Sequence, residues 1–384
     1  ADCLQTAGVP LYCNREGNNL QSGIVTSLML APDTSKVVDA ASAAQAPVGC
    51  FECDEMYTKY VLPRLRPHYF MLLNLFRDQL DRFGEIDRIQ ATIAEALAKT
   101  SETTFVFNGD DPLCAAIADR IPNKSLAFGI ASDMGLSADR ISDSRFCQKC
   151  GGALEYDYVH YGQLGAYRCP DCGWARPELA FAATNVRLEE DGFVFDIDGR
   201  SVHTGHTGAY MVYNVLAAYA ISKLSGIVSF ENYQAAVREY HPTNGRLQTF
   251  DLGERKVMTN LAKNPTGFNQ NIRIVLNECG RVLALFVNDN DADGHDVSWF
   301  WDIDFERWSQ IEGLRAFVGG TRANDMQVRL KYAGIQAEIV ENVADVLAAT
   351  GVDDGKVYII ANYTALPAVR RELEGLEAAA TGEE

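Results

Sequence analysis

Four cysteines arranged as two Cys-x2-Cys pairs constrain this chain more than any other feature. Cys147 and Cys150 form the first pair, Cys169 and Cys172 form the second, and a glycine follows each pair. Two residues between thiolates let one tight turn bind a single ion, and glycine lets the chain bend around the sulfurs. The eighteen residues between the pairs are typical of a zinc ribbon. The pattern predicts a structural Zn²⁺ site, with two disulfides as the alternative.

The segment between the two pairs predicts a short β-hairpin, because four tyrosines favour extended backbone there. They are Tyr156, Tyr158, Tyr161 and Tyr167. Four thiolates close the coordination shell of zinc and leave no position for a reacting water. The ribbon is therefore predicted to have a structural role, and catalytic residues are expected in the rest of the chain.

Charge and cysteine usage limit the classes of function. The 34 basic and 52 acidic residues give a net charge of −18, which argues against a nucleic-acid partner. No run of about 18 apolar residues occurs, so we expect no transmembrane segment. Six of the ten cysteines are scattered outside the ribbon, which favours a reducing, cytoplasmic location. Cys50 and Cys53 form one further pair, which we interpret as buried thiols.

Strands alternate with helices on both sides of the ribbon, which predicts α/β units with mostly parallel sheets. Before the ribbon we predict strands at 9–13, 48–53, 68–75, 103–108 and 125–129, and helices at 86–99 and 113–120. After it we predict a hairpin at 182–204, helices at 208–224 and 230–240, and strands near 256–261, 282–288, 314–318, 336–340 and 356–361. The last five predicted helices lie near 268–278, 303–311, 321–333, 342–350 and 365–378.

Polar side chains recur where the predicted strands of the first half end. They are Glu52, Asn74, Asp78, Asp110 and Asp111. Ligands of parallel α/β sheets bind at the C-terminal ends of the strands. Each acid taken singly is better explained as a helix cap, whereas their recurrence at successive strand ends favours a ligand site.

Several of these stretches together resemble the Mur ligase superfamily, the ATP-dependent ligases of peptidoglycan assembly. The stretches are Phe-Glu-Cys-Asp-Glu at 51–55, the run from Asn74 to Glu85, Asn-Gly-Asp-Asp-Pro at 108–112, the run from Gly208 to Asn214, and Asn-Gly-Arg at 244–246. Three features resemble one branch, the synthetase subunits of lipid II isoglutaminyl synthase. They are the four-cysteine ribbon, the segment 263–269 and the Asp- and Trp-rich segment 288–302. The resemblance covers essentially the whole chain.

The resemblance implies an α/β fold with a Mur-ligase-like central ATPase domain at 1–243. The zinc ribbon is inserted in it at 141–180, and a Rossmann-like C-terminal α/β domain follows at 244–384. The phosphate loop of the superfamily, Gly-x-x-Gly-Lys-Thr/Ser, does not occur in the sequence. In the family it lies just before the segment that resembles residues 1–19. We therefore expect an N-terminally truncated chain; true loss of the loop is the alternative.

The resemblance also implies a reaction, its cofactors and its partner. Subunits of this branch use ATP and Mg²⁺ to convert the α-carboxyl of D-glutamate in the lipid II stem peptide into an acyl phosphate. Ammonia from a glutaminase subunit of the GatD type then gives D-isoglutamine at the membrane surface. Two alternatives remain open, a Mur-type amino-acid ligase and a catalytically inactive scaffold for a glutaminase. The ribbon and the segment 288–302 argue against the first.

Candidate site residues of the first domain and of the domain boundary follow from the same resemblance. Glu52 is the first candidate ligand of Mg²⁺ and Glu55 the second. Asn214 matches a residue that contacts adenine. Arg246 matches an arginine that approaches the phosphates of ATP, with a surface hinge residue as the alternative.

In the C-terminal domain, Lys263 and Asn264 are expected to face the substrate cleft, or else to shape a turn. In this branch an aspartate of the C-terminal domain completes the Cys-His pair of the partner glutaminase, where it would orient the histidine. Within the cluster that begins at Asp291, Asp293 and Asp296 are the candidates, and capping of a helix around Ser298 to Phe305 is the alternative. Trp299 and Trp301 are expected to pack in the core, with packing at the partner interface as the alternative.

Overall fold

The computed structural model describes residues 1–14, 18–30, 47–77, 86–140, 142–242 and 245–381. The chain divides into two compact units. The first contains Ala1–Leu75, Glu85–Ser137 and Asp143–Tyr240. The second contains His241–Glu384 and the described residues of Phe76–Gly84 and Ala138–Ser142. The division predicted at 243/244 falls on residues outside the described ranges, as do Asp78 and the rest of 78–85.

The first unit is built around a six-stranded mixed sheet. The strands described in this unit are β1 (Leu11–Tyr12), β2 (Val48–Gly49), β3 (Tyr69–Leu72), β4 (Thr104–Asn108), β5 (Ser125–Ile130), β6 (Glu155–Tyr161), β7 (Leu164–Arg168), β8 (Leu179–Glu189), β9 (Gly192–Ile197) and β10 (Arg200–His203). The large sheet has the order β10-β9-β8-β5-β4-β3, in which β3, β4, β5 and β8 run parallel. Strands β9 and β10 are antiparallel to their neighbours, whereas β1 and β2 form a separate parallel pair.

Seven helices belong to the described part of this unit. They are α1 (Asp2–Thr6), α2 (Gln21–Met29), α3 (Thr58–Leu65), α4 (Ile86–Ala98), α5 (Pro112–Ala118), α6 (Tyr210–Ser225) and α7 (Phe230–Arg238), and a 3₁₀ turn covers Glu55–Tyr57. Helix α4 buries Ile89, Ile93, Ala96 and Leu97, whose spacing places them on one helical face. Helix α6 is apolar almost all round, and nine of its sixteen residues are buried, so it is a core helix.

The second unit is a doubly wound α/β domain. Its strands are β11 (Gln248–Asp251), β12 (Lys256–Leu261), β13 (Val282–Phe286), β14 (Arg315–Gly319), β15 (Ala337–Ile339) and β16 (Val357–Ala361). Its helices are α8 (Pro265–Asn277), α9 (Ala323–Tyr332), α10 (Val343–Ala349) and α11 (Leu366–Thr381). The order is β11-β12-β16-β13-β14-β15, and all pairs except β11–β12 are parallel. Every residue of β13 and β16 is buried, as expected of strands covered by helices on both faces.

The α/β class and the hairpin within the ribbon are confirmed, but several predicted elements differ. Strands predicted at 9–13 and 48–53 shrink to the two-residue β1 and β2, and the predicted hairpin at 182–204 is the three-stranded run β8–β10. The helix predicted near 303–311 is wrong, because 3₁₀ turns cover Ser298–Asp302 and Phe305–Gln310 instead. Strand β11 was not predicted. The alternating pattern of these short pieces fits several backbone conformations, so tertiary pairing decides between them.

Two predictions of burial are also wrong. Cys50 is exposed and Cys53 is half-buried in the loop after β2, since the strand expected to bury them ends at Gly49. Partial burial, followed by the neighbouring acids, raises the pKa of the Cys53 thiol to about 12. Trp301 is 53% exposed, because the turn Ser298–Asp302 directs it to the surface. In the described part of the chain, no helix combines the length and the apolar character that crossing a membrane requires.

Candidate functional site

The four ribbon cysteines converge at one point of the first unit. Their sulfur atoms all lie within 4.8 Å of one another, and both the Cys147–Cys172 and the Cys150–Cys169 sulfur pairs are 3.5 Å apart. These separations are far longer than a disulfide bond of about 2.05 Å, and they are close to the edge of a tetrahedral zinc–sulfur shell. The donor set therefore fits Zn²⁺ and does not fit two disulfides.

Each pair of cysteines forms the expected tight turn. The N–H of Gly151 donates to the carbonyl of Cys147 at 2.9 Å, and the N–H of Gly173 donates to that of Cys169 at 3.0 Å. Both glycines adopt φ values near +75°, a conformation that glycine reaches without strain. Burial raises the pKa of Cys147, but backbone N–H groups of Lys149 and Cys150 outweigh it and lower the pKa to about 7. The first turn thus favours the thiolate form of Cys147, which is the form that a metal requires.

The hairpin of the ribbon is anchored on the ends of three parallel strands. The amide of Gln163 donates to the carbonyl of Leu75, beyond β3, at 2.7 Å. The N–H of Gly165 donates to the carbonyl of Asp110, beyond β4, at 3.0 Å. The hydroxyl of Tyr158 donates to the carbonyl of Ile130, the last residue of β5, at 3.1 Å. The insert therefore lies against the C-terminal edge of the sheet, where α/β proteins bind ligands.

Asp111 and Asp110 are both completely buried at this edge. Asp111 caps α5, since its carboxylate accepts from the N–H of Leu113 at 2.9 Å and from that of Leu75 at 2.8 Å. Burial nevertheless raises the pKa of Asp111 to about 6. Capping is therefore what the structure shows for this acid.

Asp110 instead accepts hydrogen bonds from residues that lie far apart in the sequence. Its carboxylate accepts from Arg176 at 3.1 Å, from the hydroxyl of Tyr213 on α6 at 2.8 Å, and from the N–H of Ile130 at 2.8 Å. Burial raises the pKa of Asp110 to about 6, against the opposing effect of Arg176. A Cβ atom at Gly129 would lie 2.5 Å from this carboxylate, so glycine leaves the room that the acid occupies. Sequence reasoning missed Arg176, which belongs to no motif, and it assigned no role to Tyr213 within the run from Gly208 to Asn214.

Glu52 lies in a loop that an asparagine holds in place. The side chain of Asn14 donates to the Glu52 carbonyl at 2.8 Å and accepts from the Glu52 N–H at 2.9 Å. The amide of Asn19 donates to the Glu52 carboxylate at 3.3 Å. Both Glu52 and Glu55 are exposed, and Glu55 begins the 3₁₀ turn that precedes α3. A fixed backbone that presents an exposed carboxylate suits a ligand of Mg²⁺, which uses few protein oxygens.

Asn214 lies on the exposed side of α6, although its neighbours Tyr213 and Val215 are buried. Its amide faces the sulfur of Met211 at 3.9 Å. Glu52 and Asn214 belong to the same unit, yet the contacts described for each involve other residues. The structure does not bring them into contact with each other.

In the second unit, the predicted residues other than the two aspartates fall on two loops. Arg246 is exposed and follows Gly245, a buried glycine with φ +71°, while Asn244 lies outside the described residues. Lys263 is half-buried beyond β12. The side chain of Asn264 caps α8 by accepting from the N–H of Gly267 at 2.8 Å. Asn264 therefore shapes the turn at the start of α8.

The two candidate aspartates of the loop after β13 have opposite environments. Asp293 is 6% exposed, and both of its carboxylate oxygens accept from Thr364, one from the N–H at 3.0 Å and one from the hydroxyl. Asp296 is exposed and accepts from the N–H of Ser298 at 2.8 Å. Hydrogen bonds from Ser298, and then the charge of Arg77, lower the pKa of Asp296. Asp293 braces a loop, whereas Asp296 presents an ionised carboxylate at the surface.

Two family models match the chain. The model described as Mur ligase middle domain matches residues 33–222, and the one described as MurT ligase C-terminal matches residues 261–366. A relative in Staphylococcus aureus (strain COL), named lipid II isoglutaminyl synthase (glutamine-hydrolyzing) subunit MurT, is 30% identical over 96% of this chain and 82% of its own length. The relative of the same name in Streptococcus pneumoniae (strain ATCC BAA-255 / R6) is 33% identical over 92% of this chain and 78% of its own length.

Solved structures with low identity share the fold. A pseudomurein peptide ligase type C from Methanothermus fervidus superposes with a TM-score of 0.69 at 18% identity, covering 98% of this chain and 75% of that one. MurF from Acinetobacter baumannii gives a TM-score of 0.65 at 13% identity, covering 100% of this chain and 73% of that one. The fold, the two family models and the identity to both relatives agree. The chain belongs to the MurT family of the Mur ligases, which are ATP-dependent ligases.

Proposed function

We propose that the chain is the synthetase subunit of a glutamine-dependent amidotransferase that amidates the D-glutamate α-carboxyl of the lipid II stem peptide. The observation that carries the proposal is 30–33% identity to two MurT subunits over more than nine-tenths of the chain. A subunit of this kind requires a partner, which we take to be a glutaminase of the GatD type. Both ATP and the lipid II head group are available at the cytoplasmic face of the membrane, where we place the reaction.

The chemistry of the proposal follows from the weakness of a carboxylate as an electrophile. Transfer of the γ-phosphoryl group of ATP to one carboxylate oxygen makes an acyl phosphate, ammonia adds to its carbon, and phosphate leaves as the amide forms. Mg²⁺ would supply charge to the phosphate oxygens. We assign Glu52 to Mg²⁺, with Glu55 as the second choice, Asn214 to adenine, and Arg246 and Lys263 to anionic groups of ATP or substrate.

Three further roles complete the assignment. Asn264 shapes the loop that carries Lys263, because it caps α8. The four ribbon cysteines hold a structural Zn²⁺, for which their spacing is suited. Asp296 is the acid offered to the partner glutaminase, since an acid that acts in another protein has to be exposed and ionised. The buried Asp293 holds its loop in place.

The test uses the full-length protein with the glutaminase, lipid II, ATP, Mg²⁺ and glutamine, and follows the mass of the stem peptide. Amidation replaces a hydroxyl by an amino group and requires both ATP and glutamine. Incorporation of a free amino acid instead would identify an amino-acid ligase. A stable complex with the glutaminase that forms no product would identify a scaffold, and either of these results refutes the proposal.

A further inference from the structure

The zinc ribbon contacts the helix that carries Asn214 through a chain of hydrogen bonds that runs from Arg176 through the buried Asp110 to Tyr213. Arg176 lies four residues beyond Cys172, and its N–H donates to the carbonyl of Tyr167 on β7 at 2.9 Å. Its guanidinium donates to Asp110 at 3.1 Å, and Asp110 accepts from the hydroxyl of Tyr213 at 2.8 Å. Tyr213 directly precedes Asn214 on α6.

We propose that Arg176 is a positioning residue, which sets helix α6, and with it Asn214, for nucleotide binding through Asp110 and Tyr213. This inference rests on the proposed function, because it takes Asn214 as an adenine contact. It assigns the ribbon a role that a remote structural zinc site would not have, namely to fix part of the ATP site.

The guanidinium of Arg176 is held from several sides. The same Nη1 atom donates to Asp110, to the carbonyl of Ile130 and to the hydroxyl of Tyr158, each at 3.1 Å. The guanidinium carbon lies 5.7 Å from the centre of the Tyr158 ring. Nη1 has two hydrogens for these three acceptors, so at least one N–H is shared between two of them. The planar guanidinium holds this nitrogen in a fixed position beside the Tyr158 ring, which a flexible ammonium group does less well. The network therefore has one defined geometry.

Tyr213 is equally constrained on the helix side. It is 1% exposed, and its ring packs edge to face with Tyr161 of the hairpin at 5.8 Å between centroids. Its position is thus set by ribbon residues on one side and by Asp110 on the other. Since Asn214 follows it on a rigid helix, a shift of Tyr213 moves Asn214 as well. Asn214 is itself exposed, as an adenine contact has to be.

Loss of the guanidinium would leave the buried Asp110 carboxylate without its charged partner. An uncompensated buried charge is costly, so the carboxylate takes up a proton or the surrounding elements shift. Either response changes the bond to Tyr213. The expected consequence is weaker ATP binding with little change in the chemical step, because no atom of Arg176 is assigned to the reacting groups.

The experiment compares Arg176→Met, Arg176→Lys and Tyr213→Phe in the full-length complex. We expect Arg176→Met to raise the KM for ATP and the Kd for ATP about tenfold, and Tyr213→Phe about fivefold, with kcat within about threefold of the wild type. Arg176→Lys should recover part of the affinity. In the double variant Arg176→Met/Tyr213→Phe, the increase in the Kd for ATP should be smaller than the product of the two single increases, because both changes break the same chain of contacts.

Two matched controls separate positioning from general destabilisation. Tyr219→Phe removes another tyrosine-to-aspartate bond from α6, that to Asp198 at 2.5 Å. Arg168→Ala removes another ribbon arginine, which pairs with Glu155 at 2.8 Å on the exposed side of the hairpin. Both controls should bind ATP as the wild type does, and all variants should retain zinc. If Arg176→Met does not fold, Tyr213→Phe decides.

Unchanged ATP affinity in folded Arg176→Met and Tyr213→Phe would overturn the inference. So would equal losses in the two controls. Binding is measured directly with ATP, so the inference is tested even if the wild type forms no amide, an outcome that refutes the proposed function alone. Failure of the wild type to bind ATP would refute both.

Discussion

Among individual residues, Asp110 shows why part of this site could not be read from the sequence. Its motif, Asn-Gly-Asp-Asp-Pro, indicates a strand end followed by a helix cap, and Asp111 confirms the cap. The role of Asp110 depends on Arg176 and Tyr213, which lie 66 and 103 residues further along the chain. No local pattern encodes such pairings. Sequence analysis therefore located the acids at the sheet edge without finding what holds them.

The buried position of Asp110 predicts a specific dependence of stability on pH. Burial raises its pKa from 3.8 to about 6, so between these values the folded state binds more protons than the unfolded state. The group therefore contributes stability that is present below about pH 4 and lost as the pH rises through about 6. Asp110→Asn removes this pH-dependent contribution to stability. The free energy of unfolding of the variant minus that of the wild type should therefore rise by on the order of 1–3 kcal/mol from pH 4 to pH 7.

Urea unfolding at several pH values measures this difference. Asp198→Asn is the control with the opposite sign, because hydrogen bonds from Lys223 and Tyr219 lower the pKa of Asp198. Its stabilising contribution is complete above its unfolded pKa of about 4 and is lost as the pH falls further. Relative to the wild type, this variant should therefore become less stable as the pH rises towards 4 and show little further change between pH 4 and pH 7. A pH-independent difference for Asp110→Asn would show that Asp110 is not titrating with a raised pKa.

Glu52 yields a prediction about the metal. Its backbone is fixed by Asn14 and its carboxylate is exposed, so Glu52→Ala should remove a Mg²⁺ ligand without disturbing the loop. We expect amidation to fall about 100-fold or more, with a higher Mg²⁺ requirement and unchanged binding of the glutaminase. Amidation measured over a Mg²⁺ titration tests this, with Glu55→Ala in parallel. If Glu55→Ala has the larger effect, the order of the two candidates is reversed.

Helices and strands were predicted best where the hydrophobic pattern was long or the element was fully buried. Strands β13 and β16 are continuous apolar runs, and α4 shows a regular helical spacing, so their positions were predicted to within one or two residues of those observed. The 3₁₀ turn Phe305–Gln310 was predicted as part of a helix near 303–311, and the turn Ser298–Asp302 as part of a helix around 298–305, because a short aromatic segment has no period that separates the two conformations. They are held by Arg329, whose guanidinium donates to the carbonyls of Phe300 and Ile303.

The four cysteines of the ribbon are expected to stabilise the fold through zinc. Cys147→Ser should abolish zinc binding and lower the Tm of the protein by about 5 °C or more, because the metal is expected to hold both turns of the ribbon together. Zinc content by elemental analysis and thermal unfolding measure the two effects. Cys279→Ser, at an exposed cysteine of the second unit, should change neither. A zinc-free Cys147→Ser protein with an unchanged Tm would contradict a structural role.

At the scale of the whole molecule, the sequence resemblance carried further than any local pattern. It predicted the family and the fold, which the family models, the relatives and the solved structures confirm. It could not separate Asp293 from Asp296, because the two differ in burial and not in type. Their burial now gives them different predicted roles in the complex.

Asp296→Asn should therefore separate the two half-reactions of the complex. Without an ionised acid to orient the histidine of the partner, glutamine hydrolysis should fall about 100-fold or more. Amidation supplied with ammonium should stay within about twofold of the wild type, since the ATP site is untouched. Asp293→Asn should instead lower the Tm and both activities together, because it weakens the contacts with Thr364. The exposed Asp291 gives the matched control, and Asp291→Asn should leave both activities unchanged. Loss of glutamine hydrolysis in a stable Asp293→Asn protein, with Asp296→Asn fully active, would transfer the role to Asp293.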